Sequence, residues 1–220
     1  MASNEFKAEY RELHKGEYNI YLPDNKNPNS PLLIYLHGYY GEYNTPEFME
    51  KELPEDLINN SLNSDFILAC PLCPSDFFWR THFVITFLDY LKDEYKLDQS
   101  KIFFLTGHSM GGFGTWSTAH EYPNKFTAIA PVSGGVSEIN QYQAERIKNL
   151  PIWCFHNKGD EIVPPSSTEV MIKTINSIGG KAKLTIYDID DHNAYITYKN
   201  KELFEWFNSI DYYNWRIWII

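Results

Sequence analysis

The sequence predicts an α/β protein: a three-layer αβα sandwich around a mostly parallel sheet, with no lid domain. Three observations carry that prediction. Short apolar runs alternate with stretches of helical period along the chain. The central apolar runs are nearly continuous rather than alternating, which marks strands covered on both faces. The spacing between runs suits right-handed βαβ crossovers, the usual way of joining parallel strands.

Strands are expected at residues 18–22, 32–36, 66–70, 102–106, 128–132, 152–155 and 184–187. Between them, residues 82–95 place Phe83, Phe87, Leu88, Leu91 and Tyr95 on one helical face. Residues 112–121, 138–149, 166–178 and 199–209 also read as helices. Gly179 and Gly180 close the fourth of these, as residues able to take positive φ after a helix. Residues 24–31, DNKNPNSP, read as a loop inside the domain. The apolar last ten residues, DYYNWRIWII, are expected to dock on the domain or on a partner subunit, which leaves a homodimer open.

With 220 residues, 43% hydrophobic and 22% charged, the chain suits one domain, residues 1–220, with a core over about 18–210. Its formal net charge is −10, and no basic stripe interrupts the acidic balance. Phosphate binding needs clustered cations, so nucleic acid and anionic membrane are not expected partners. The first residues, MASNEFKAEYRELHKGEY, carry charge and no apolar signal core, and no run approaches a membrane span. The three cysteines, Cys70, Cys73 and Cys154, lie in or beside apolar strands, which fits reduced thiols and a cytoplasmic protein. Cys70 and Cys73 have metal-knuckle spacing, but no second ligand pair completes a site. No metal or cofactor is expected.

The most informative segment is KIFFLTGHSMGGFGTWSTAHEY, residues 101–122. An apolar strand runs into Gly107-His108-Ser109-Met110-Gly111 and a helix follows. A turn that tight thrusts the apical Ser109 above the strand end, while Gly107 and Gly111 let neighbouring backbone approach. The plainer reading makes Ser109 the N-cap of the helix.

A serine nucleophile needs a base and an acid, and in this scaffold both follow it in the chain. Three histidines come after Ser109. His120 falls in the elbow helix and is read as structural. His156 ends a strand, whereas His192 lies in a loop past one, free to swing its Nε2 toward the hydroxyl, so His192 is the expected base. Asp160, in the loop before the fourth helix, is the expected acid, with Asp190 as the alternative. The oxyanion donors are expected to be the N–H groups of Met110 and of Tyr39, with Gly38 permitting the turn that presents the latter. Tyr40 and Trp79 are expected in the substrate pocket. Phe113 reads more readily as core.

The segments PLLIYLHGYYGE, DFILACPLCPSDFFW, KIFFLTGHSMGGFGTWSTAHEYPNKFTAIAPVSGG and LPIWCFHNKGDEIVPP through DIDDHNAY, in that order, resemble the α/β-hydrolase superfamily. More narrowly, they are similar to small lidless carboxylesterase-like proteins grouped with dienelactone hydrolases, polyhydroxybutyrate-depolymerase-like esterases and prolyl-oligopeptidase-type peptidases. The resemblance implies Ser109 as nucleophile, Asp160 as acid, His192 as base, and Tyr39 and Met110 as oxyanion donors. Two departures stand out: bulky Tyr39 and Tyr40 follow the His-Gly pair where small residues are common, and Asn157 follows His156 where Gly is usual. The expected activity is hydrolysis of small or aryl carboxylic esters through an acyl-enzyme. Thioesters and short peptides use the same machinery, and a catalytically silent ligand-binding module is the alternative from another class.

Overall fold

Strand β3 (Leu32–Leu36) and strand β5 (Phe103–His108) are buried along their whole length, and they sit side by side in the middle of the sheet. The structure, a computed structural model, describes residues 3–7, 15–24, 29–41, 45–74, 78–97, 102–136 and 140–210. The apolar tail of residues 211–220, with its expected docking, lies outside the described residues, as does part of the loop at 24–31.

The remaining strands are β1 (Ser3–Lys7), β2 (Lys15–Tyr21), β4 (Ile67–Pro71), β6 (Ala128–Val132), β7 (Trp153–Asn157) and β8 (Lys183–Tyr187). They form one sheet in the order β1-β2-β4-β3-β5-β6-β7-β8. β1 and β2 pair antiparallel, β2 pairs antiparallel with β4, and all other neighbours are parallel. β1 was not anticipated, because its pairing with β2 is a contact between segments whose own composition is charged.

Alternate residues of β3 face opposite layers, as the two-residue period of a strand requires. Leu32, Ile34 and Leu36 join one core with residues of α3 (Thr81–Glu94), α4 (Met110–Glu121), α5 (Gln141–Ile147) and α6 (Ser166–Ser177). Leu33 and Tyr35 join the other with residues of α1 (Pro46–Glu52), α2 (Glu55–Asn63), α7 (Ile196–Lys199) and α8 (Lys201–Ser209). The apolar runs are continuous because each strand must satisfy two cores at once.

Helices α1 and α2 escaped the sequence reading. α1 starts at Thr45, whose hydroxyl accepts the Phe48 N–H at 3.2 Å, with Pro46 in the first turn. α2 is rich in Asn and buries chiefly Leu57 and Ser61, so its apolar face is narrow. The buried face of α3 is Val84, Ile85, Phe87, Leu88 and Leu91, with Phe83 and Tyr95 only partly buried beside it. The expected single helix at 199–209 is split at Asn200, whose side chain accepts the Glu202 N–H at 2.9 Å and opens α8. Gly179 takes φ 92° after α6, as expected, and the Gly180 N–H reaches back to the Ile175 carbonyl at 3.0 Å.

The chain leaves β3 toward β4 on one side and leaves β5 toward β6 on the other. That reversal falls at the carboxyl ends of β3 and β5, the position at which open α/β sheets bind ligands. Among the described residues, no helix is long and apolar enough to cross a membrane.

Candidate active site

Ser109 stands between the last residue of β5 and the first of α4 with φ 55° and ψ −117°. A side-chain-bearing residue pays steric strain at such an angle, which neighbouring structure must hold in place. The elbow is held from two directions. The Ser109 N–H donates to the Val132 carbonyl of β6 at 3.0 Å. Behind the serine, Gly111 packs so close to β3 that a Cβ there would be driven into the Leu36 carbonyl. Although Ser109 occupies the N-cap position of α4, its hydroxyl makes no capping bond.

The hydroxyl instead faces His192, whose Nε2 lies 2.7 Å from Ser109 Oγ. His192 sits five residues past β8, and its Nδ1 lies 2.8 Å from Asp160 Oδ2, three residues past β7. A carboxylate accepts only, so Nδ1 carries the ring hydrogen and Nε2 is the acceptor facing the serine. Two of the other aspartates near His192 face elsewhere. Asp188 pairs with Lys158 at 3.1 Å, and the Asp190 carboxylate lies over the backbone of Gly159.

Asp160 is 3% exposed. Its Oδ1 accepts the N–H groups of Ile162 and Val163 at 3.0 and 2.8 Å. Burial alone would raise its pKa. The Val163 N–H, His192 and His156 outweigh that burial and hold the carboxyl below its ordinary range. It therefore faces the His192 ring as an ionised acceptor.

Three further histidines are neutral supports. His37 is fully buried, and burial drops its pKa to about 4 against a weaker opposing bond to the Gly38 carbonyl. Its Nε2 accepts the Cys73 N–H at 3.0 Å, so Nδ1 donates to Gly38 O at 2.6 Å. His108, also pushed down to about 4 by burial and then by His192, has its Nε2 3.3 Å from the His192 carbonyl. Burial likewise lowers His156, whose Nε2 donates to Val163 O at 2.7 Å. His120 stacks on Trp116 and its carbonyl accepts Arg146 Nε at 2.7 Å.

The Met110 N–H opens α4 and so is one of the first-turn donors without a partner inside the helix. Tyr39 follows Gly38, whose position lies beside the elbow: a Cβ there would stand 3.6 Å from Ser109 Cβ. That contact is ordinary, and Gly38 has no positive φ, so the turn does not depend on glycine freedom as expected; the positive value belongs to Gly41, φ 58°.

Trp79 is not the open pocket wall expected of it. It is 4% exposed and its indole N–H donates to the His37 carbonyl at 3.0 Å, bracing the β3 loop from behind. Tyr40 stacks face to face on His37, centroids 4.3 Å apart, and is half-buried. Phe113 corrects the core reading in the other direction. It is exposed at 36%, one turn beyond Ser109, and its N–H donates to the Ser109 carbonyl at 3.0 Å. Tyr39 is 57% exposed. Among the described residues, no cluster of three or more His, Cys, Asp or Glu is placed to hold a metal ion, and the three buried cysteines are in thiol form, without a disulfide.

The family described as "Putative esterase" matches residues 14–160, from ahead of β2 to Asp160. The chain belongs to that esterase family. Ser109 and the β3 loop fall inside the match, and His192 lies beyond it. A bifunctional acetylxylan esterase/xylanase, XynS20E, from Neocallimastix patriciarum is 28% identical over 181 residues, which cover 77% of this chain and 25% of that protein. The crystal structure of a thermostable esterase has a TM-score of 0.80 at 29% identity, covering 94% of this chain and 62% of that one. The chain thus spans about a quarter and under two thirds of these two relatives. A ferulic acid esterase at 17% identity, TM-score 0.70 over 95% of this chain and 96% of its own, shares the fold. That fold is the α/β-hydrolase fold.

Proposed function

We propose that this chain hydrolyses carboxylic esters of short or aryl acyl groups through an acyl-enzyme on Ser109. The observation that carries the reading is the unbroken line Ser109 Oγ, His192 and Asp160, with 2.7 and 2.8 Å contacts.

Ser109 Oγ attacks the acyl carbon as its proton passes to His192 Nε2. Asp160 holds the ring and stabilises the imidazolium. The carbonyl oxygen, now an oxyanion, accepts from the Met110 and Tyr39 N–H groups, each such donor being worth about 3–4 kcal/mol of barrier. His192 gives its proton to the departing alkoxide oxygen, releasing alcohol. Water then repeats the sequence on the acyl-enzyme, and the carboxylic acid leaves.

Two relatives are named for acetylxylan and for ferulic acid, a short acyl group and an aryl one. Tyr39, next to Gly38, and Phe113, one turn past Ser109, are both exposed and would offer apolar faces to either class. The test combines a fluorophosphonate probe with p-nitrophenyl esters of graded acyl length and a ferulate ester. Labelling of the parent chain, lost in Ser109→Ala, with turnover highest on acetyl or feruloyl esters, is the expected result. A parent that takes no label, or a Ser109→Ala variant labelled equally, overturns the reading.

A further inference from the structure

Asn157, the last residue of β7, is fully buried, and its amide nitrogen faces the base loop. Nδ2 donates to the carbonyls of Asp191 at 2.8 Å and Asn193 at 3.2 Å. These are the two carbonyls on either side of His192. The carbonyl between them, that of His192 itself, is met by His108 Nε2. Side chains from the ends of β5 and β7 therefore hold three successive carbonyls of the loop that carries the base.

Only an amide can do what Asn157 does here. One NH2 group offers two hydrogens that diverge by about 120°, enough to satisfy two carbonyls at once. The reverse orientation would set its oxygen against two carbonyl oxygens, so the partners fix which atom faces the loop. An aspartate of the same shape has no hydrogen to give. The residue also pays for its place: Asn157 Oδ1 is buried with no hydrogen-bond partner among the described residues.

Those bonds link the acid loop to the base loop. The Lys158 N–H donates to Tyr187 O at 2.9 Å and the Gly159 N–H to Ile189 O at 3.1 Å, so the backbone after β7 is already stitched to the start of the base loop. Asn157 extends the stitching to the residues around His192 itself.

We propose that Asn157 is a positioning residue for the base, its amide setting the height and tilt of His192 between Ser109 and Asp160. The proposal rests on the hydrolase reading above for its kinetic consequence, but not for its structural one.

The test uses Asn157→Ala, with Asn157→Ser as a second variant that keeps one donor should the first fail to fold. Asn176→Ala is the control: Asn176 also makes paired amide bonds, to Ala182 at 2.8 and 3.0 Å, from α6. In the folded Asn157→Ala variant, kcat on p-nitrophenyl acetate falls by about 10- to 100-fold while KM stays within about twofold. The low-field proton resonance of the His192 Nδ1–Asp160 bond broadens or disappears. Asn176→Ala lowers the melting temperature and leaves both readouts in place. A folded Asn157 variant with parental kcat and an intact low-field proton overturns the proposal. The two readings fail separately, because a parent chain without turnover or probe labelling overturns the hydrolase reading while the proton resonance still reports on the clamp.

Discussion

Asp160 Oδ2 serves two histidines: it lies 2.8 Å from His192 Nδ1 and 3.2 Å from His156 Nε2, with His156 divided between this oxygen and the Val163 carbonyl. Together with the two N–H groups on Oδ1, this leaves the carboxylate little freedom to turn. The Asp160→Asn amide would present a donor or a poorer acceptor to His192 Nδ1 and favour the wrong ring tautomer. Its kcat is expected to fall by about 10³- to 10⁴-fold with the fold intact. Parental turnover of p-nitrophenyl acetate by a folded Asp160→Asn chain would remove Asp160 from the mechanism.

The elbow strain at Ser109 is measurable as stability. With φ 55°, alanine at this site keeps the steric cost and glycine relieves it. Ser109→Gly is expected to be more stable than Ser109→Ala by about 1 kcal/mol, or about 2–4 °C in Tm. Both variants are expected to be inactive on p-nitrophenyl acetate. A Ser109→Ala chain as stable as Ser109→Gly would show that the angle carries no strain.

Two glycines of the site differ sharply in what they tolerate. Gly111→Ala drives a Cβ into the Leu36 carbonyl, so α4 must move away from β3. We expect a loss of at least about 3 kcal/mol and of turnover. Gly38→Ala meets nothing closer than 3.6 Å and is expected to fold with near-parental Tm. Equal melting temperatures for the two variants would count against the packing described here.

Acid destabilisation follows from the buried imidazoles. His37 and His108 sit at about 4 in the fold, against about 6.5 when exposed. Above about pH 6.5 both states are neutral and neither residue affects stability. As the pH falls from about 6.5 toward about 4, the unfolded chain binds protons that the folded chain refuses, and stability drops by about 1.4 kcal/mol per pH unit for each residue. Below that window the lowered carboxyl of Asp160 acts in the same direction, since its stabilisation is lost as the pH falls through its folded pKa. Calorimetry from about pH 7 to about pH 4.5 should find a falling Tm and proton uptake on unfolding; a flat Tm across that range contradicts the burial of both rings.

Much of the fold was legible because its central strands have to be apolar on both sides. Residues 32–36 and 128–132 were located to the residue, and β5 ran only slightly further than expected. Residues just past strand ends also stand out, because open α/β sheets bind ligands there, and Ser109, Asp160 and His192, chosen on that ground, meet in the fold. Other elements resisted. β1 depends on pairing, α2 on a narrow apolar face, and the break at Asn200 on one capping side chain. Trp79 and Phe113 exchanged roles for a similar reason: aromatic identity says nothing about which side of a loop or helix a ring will occupy.

By itself the sequence determined the sheet's layering, the strand–turn–helix around the serine, and the placing of Ser109, Asp160 and His192 just past successive strand ends, because periodicity and turn chemistry are local properties. Tertiary structure alone decided that the His192 ring stands within 2.7 Å of the Ser109 hydroxyl, that His37, His108 and His156 are neutral braces, and that Asn157 grips the loop of His192. Those outcomes depend on distances between strand ends far apart in the chain, and such distances arise only when the sheet and its two cores assemble.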